Sequence, residues 1–90
     1  MPADNAVMAF RYRPVILEEL ARFGIFPTET TPPQLVHEFV NDLYRFELRR
    51  LRARLVQGDI AKADYYGQVV ELRRRYPLVS VRVGLWVEGD

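Results

Sequence analysis

The sequence predicts a mainly α-helical domain: a short N-terminal helix, a long antiparallel helical hairpin, and an extended β-strand-like tail. Three observations carry this. Apolar residues recur at helical spacing in three stretches bounded by proline or glycine. Gly58 separates the two longest stretches by a connection so short that they must run as antiparallel neighbours. After Pro77 the apolar period changes from helical to alternating. Ninety residues make a single domain, 1–90, with a thin core.

Residues 1–13 read as a terminus frayed from Met1 to Asn5, then a short strand from Val7 to Tyr12. A helix is predicted over 14–24. Pro14 suits its first position, Ile16, Leu20 and Phe23 form its stripe, and Gly24 closes it in the left-handed conformation with Ile25 folding back. A proline-containing linker follows. Thr31, Pro32, Pro33 and Gln34 have the order of a capping box that opens a long helix over 32–57.

The two halves of that helix differ. In the first, Leu35, Val36, Phe39, Val40, Leu43, Tyr44 and Phe46 cover more than half of the circumference. In the second, the stripe narrows to Leu48, Leu51 and Leu55. The third helix is expected over 61–76, with Tyr65, Val69, Leu72 and Tyr76 on one face and Ile60 plugging the end of the hairpin. Gly67 inside it calls for either a close helix approach or simple tolerance. The turn Leu55 to Tyr66 is similar to the helical hairpins of small bacterial oligomerisation domains, on hairpin-capping residues alone. Over 78–88, Val79, Val81, Val83, Leu85 and Val87 alternate with Ser80, Arg82, Gly84 and Trp86, a strand pattern that needs a pairing partner.

Composition argues against catalysis. There is no cysteine, and histidine and serine occur once each. His37 has Asn41 one turn on, but no second imidazole or thiolate to complete a metal site. The acidic pairs Glu18 with Glu19, Glu38 with Asp42, and Asp59 with Asp64 sit where capping, helix dipoles or solvent account for them. No glycine loop of phosphate-binding type is present. The expectation is a protein without enzyme activity, metal or cofactor.

Charge is segregated along the chain. Residues 1–44 carry three basic and six acidic side chains, and residues 45–82 carry ten basic and four acidic. Arg45, Arg49 and Arg52 share a helical stripe, and the antiparallel return brings Arg73, Arg74 and Arg75 alongside as a candidate polyanion-binding band. Ion pairing with Glu47 and Glu71 is the plainer explanation.

The functional expectation is a small interaction module, homodimeric, that adapts or regulates an unknown protein partner. Its helical contact would be Leu35, Phe39, Leu43 and Phe46, and its tail contact Val79, Val81, Val83, Leu85 and Trp86. Nucleic-acid or polyanion binding through the arginine band is the alternative. No stretch has the length of a membrane span or the pattern of a signal peptide, so a cytoplasmic location is expected, with no membrane partner.

Overall fold

A computed structural model describes residues 9–89 of the chain. It contains three α-helices, α1 (Pro14–Ala21), α2 (Pro33–Val56) and α3 (Lys62–Arg75), followed by two short 3-10 turns, Pro77–Ser80 and Val83–Leu85. The expected frayed terminus, and the start of the strand expected from Val7, lie outside the described residues.

Helix α1 opens on Pro14 and closes as its sequence requires. Gly24 takes a φ of 75°, and the Ile25 N–H reaches back to the Leu20 carbonyl at 3.1 Å. Ile25 then packs on the core. Helix α2 starts without the expected capping box. Pro32 is its N-cap and no side chain caps it. The Thr31 hydroxyl instead accepts the Thr28 N–H at 3.0 Å, and Gln34 donates to Glu38 at 3.4 Å. The local turn at Thr28 competes for the hydroxyl that the box needs.

The hairpin forms as expected. Gly58 has a φ of 84°, the Asp59 N–H bonds the Arg54 carbonyl at 2.8 Å, and Ile60 is buried at the end. A Cβ at Gly67 would meet open space, so no close helix approach accounts for it. The 24 residues of α2 span about 36 Å. The radius of gyration is 17.0 Å, against about 12 Å for a compact chain of this length.

The tail departs from the expected strand. Its two 3-10 turns satisfy their own backbone, through Val81 N–H to Leu78 carbonyl at 3.2 Å and Trp86 N–H to Val83 carbonyl at 2.9 Å. Each turn brings a large side chain into the core: Leu78 from the first, Trp86 just after the second. The turns pack across α2. Among the described residues the tail's pairing is one antiparallel bridge, Tyr12 with Val87, framed by Arg13 N–H to Trp86 carbonyl (2.9 Å) and Glu88 N–H to Arg11 carbonyl (2.8 Å). Among the described residues there is no strand.

The core lies where α1, the first half of α2 and the tail converge, and continues between α2 and α3. Leu20, Val40 and Trp86 are fully enclosed. Trp86 also donates its indole N–H to the Val81 carbonyl at 3.0 Å, which satisfies the one polar atom that its burial removes from water.

Candidate functional site

Two surfaces on α2 stand out, and the packing of the hairpin decides both. Val36, Val40 and Leu51 face the core, and the face flanking them is left uncovered among the described residues. On that side Leu35 is 60% exposed, Phe39 and Phe46 each 52%, and Val56 77%. A single exposed leucine is unremarkable, but four large apolar side chains exposed along one helix are more than isolated surface residues. A groove of about 400 Å³ lies at its N-terminal end, lined by Ile25, Leu35, Val36, Phe39 and the acidic Glu38 and Asp42. A shallower depression lies at its C-terminal end, lined by Arg49, Arg52, Ala53, Val56 and Gln57. Leu43, expected on the same face, is half-buried and packs on the core.

The tail residues separate. Trp86 is wholly internal, and Val79 and Val81 pack against the core from partial burial. Val83 is half-buried, and Leu85 stays 48% exposed. Trp86 therefore belongs to the fold, not to the surface.

The second surface is a cleft of about 230 Å³ between α2 and α3, lined by Glu47, Arg50, Leu51, Arg54, Gln68, Leu72 and Arg75. Glu47 anchors it. Its carboxylate accepts the Tyr76 hydroxyl and lies 3.4 Å from Arg75. Burial, and then this bond, push the Tyr76 phenol up to about 12. Tyr76 stacks on Phe23 with centroids 4.7 Å apart and leans on Tyr44 at 5.3 Å, which ties α1, α2 and the end of α3 together. The neighbouring Tyr44 phenol raises the pKa of the Arg73 guanidinium.

The arginine band is only partly assembled. Arg75 reaches the cleft, whereas Arg45 pairs with Asp42 at 3.3 Å and Arg74 with Glu71 at 3.7 Å, both on exposed surface. Arg49 and Arg52 line the depression beside Val56, away from the cleft. The arginines that share the cleft with Arg75 are Arg50 and Arg54. The sequence holds the signal for them: they follow Glu47 at helical spacing and continue the centre of the apolar arc.

His37 is half-buried and meets the edge of Trp86 with centroids 5.2 Å apart. Its Nδ1 lies 3.4 Å from Asn41 Nδ2, while His37 Nε2 and Asn41 Oδ1 are buried without a hydrogen-bond partner. Among the described residues no three His, Cys, Asp or Glu side chains gather as a metal-ligand set. No helix among them is long and apolar enough to cross a membrane.

No protein-family model, curated protein or solved structure matches this chain.

Proposed function

We propose that this chain is a small non-catalytic interaction module that self-associates through the exposed face of α2 and, as a dimer, adapts or regulates a protein partner. The observation that carries this reading is the row Leu35, Phe39, Phe46 and Val56, exposed along α2 beside its packed face. Burying such a row gains about 25 cal/mol for each Å² of apolar surface removed from water. Self-association is tested by light scattering on the full chain over a concentration series, beside a Phe39→Asp variant. A dimer that the variant converts to monomer supports the reading. A wild-type chain that stays monomeric at high micromolar concentration overturns it.

The cleft favours a second reading, polyanion binding. Arg50 and Arg54 line it without a carboxylate within 4.0 Å among the described residues, and Gln68 adds an uncharged polar side chain. This reading predicts heparin retention that falls steeply with salt and is lost in an Arg50→Glu/Arg54→Glu variant. Retention that the double change leaves intact would remove the cleft from consideration.

A further inference from the structure

The exposed face of α2 has an order along its length that fixes how a second copy can lie on it. Leu35, Phe39, Asp42, Phe46, Arg49, Ala53 and Val56 are spaced alternately four and three residues apart, and all seven are exposed. That spacing keeps a seam on one side of a helix packed against another helix. Five positions are apolar. The other two, Asp42 and Arg49, carry opposite charges and lie on either side of Phe46.

We infer that two copies of this chain pair antiparallel, α2 on α2, about a two-fold axis beside Phe46. This rests on the self-association proposed above and specifies its geometry. A two-fold at this point sets Asp42 opposite Arg49 of the second copy, and Arg49 opposite its Asp42. It also sets Leu35 opposite Val56 and the large Phe39 opposite the small Ala53, with the two Phe46 rings meeting at the axis. The acidic groove of one copy then lies over the basic depression of the other. Glu38 and Asp42 rim the first, and Arg49 and Arg52 rim the second.

A parallel pairing does the reverse. It places Asp42 on Asp42, Arg49 on Arg49 and Phe39 on Phe39, with like charges in the seam and bulk against bulk. The existing contact of Asp42 with Arg45 lies on exposed surface, so it is weak and leaves the carboxylate able to take a second cation. Opposed charges of this kind set the register and orientation of an interface.

The chain has no cysteine, so single cysteines report the orientation cleanly. Leu35→Cys and Val56→Cys are made separately, both at exposed positions, and each variant is checked for an unchanged helical spectrum. Positions 35 and 56 lie about 31 Å apart along a helix at 1.5 Å per residue. In an antiparallel dimer, oxidation therefore links the two variants only when they are mixed, because a disulfide needs Cα atoms within about 7 Å. Cross-linking of Leu35→Cys to itself would overturn the antiparallel geometry. So would a dimer by mass that yields no cross-link in the mixture, and that result leaves self-association standing. A monomer by mass removes both proposals.

Charge exchange is the second arm. Arg49→Asp alone is expected to weaken the dimer about tenfold or more, as is Asp42→Arg alone. The two single variants mixed together, or the double exchange in one chain, recover wild-type affinity within about threefold. Additive loss in the double exchange would contradict the pairing of residues 42 and 49.

Discussion

The Tyr76 hydroxyl donates a hydrogen bond to the Glu47 carboxylate, joining the end of α3 to the middle of α2. The same carboxylate holds Arg75, so one acidic side chain fixes the returning helix and shapes the arginine cleft. Tyr76→Phe removes the hydroxyl and keeps the ring against Phe23 and Tyr44. It is expected to lower stability by about 1 kcal/mol at pH 7, read from urea midpoints.

The same phenol gives an alkaline signature. Its pKa is near 10 when unfolded and about 12 in the folded chain. Between those values the folded state keeps a proton that the unfolded state has lost. Its stabilising contribution is therefore full below pH 10 and is lost as pH rises through 12. Wild-type stability should fall between pH 9 and 11.5, and Tyr76→Phe should fall less. Equal alkaline losses in the two proteins would show that Tyr76 is not the linked group.

Trp86 has no exposed surface and holds the tail on the helices. Trp86→Ala is expected to cost about 3–5 kcal/mol, a large part of the stability of so small a domain. Leu85→Ala, one residue away and half-exposed, should stay within about 0.5–1 kcal/mol of wild type. Thermal unfolding of the pair separates a tail that belongs to the core from one that only lies on the surface.

Two glycines should respond in opposite directions. Gly67→Ala places its Cβ in open space inside α3 and should stabilise by about 0.5–1 kcal/mol. Gly58→Ala forces a left-handed residue with φ of 84° to carry a Cβ and should cost about 1–2 kcal/mol. Denaturant midpoints of both variants check this.

The helices were legible because their signals are local. Gly24 with Ile25 and Gly58 with Ile60 are closures that any chain of this pattern makes, and the structure has both. The tail was misleading for a physical reason. Alternating valines suit a strand, but a strand must find backbone partners, and among the described residues the tail finds a single bridge, Tyr12 with Val87. Two 3-10 turns satisfy the backbone without a partner and bury Leu78 and Trp86 against α2, a tertiary gain that no window of sequence displays. The capping box at Thr31 failed similarly, because Thr28 sits close enough to take the hydroxyl. Of the candidate helical contact, Leu35, Phe39 and Phe46 are exposed while Leu43 is partly enclosed by neighbours. Val56 lies beyond the over-apolar half of α2, where the seam shows only once the buried side is known.

The central claim is that α2 pairs with α2 of a second copy, and sedimentation equilibrium of the full chain tests it most directly. The account predicts a mass twice the 10.6 kDa of the chain at tens of micromolar, returning to the single-chain value in Phe39→Asp. A mass of one chain throughout the concentration series would contradict it.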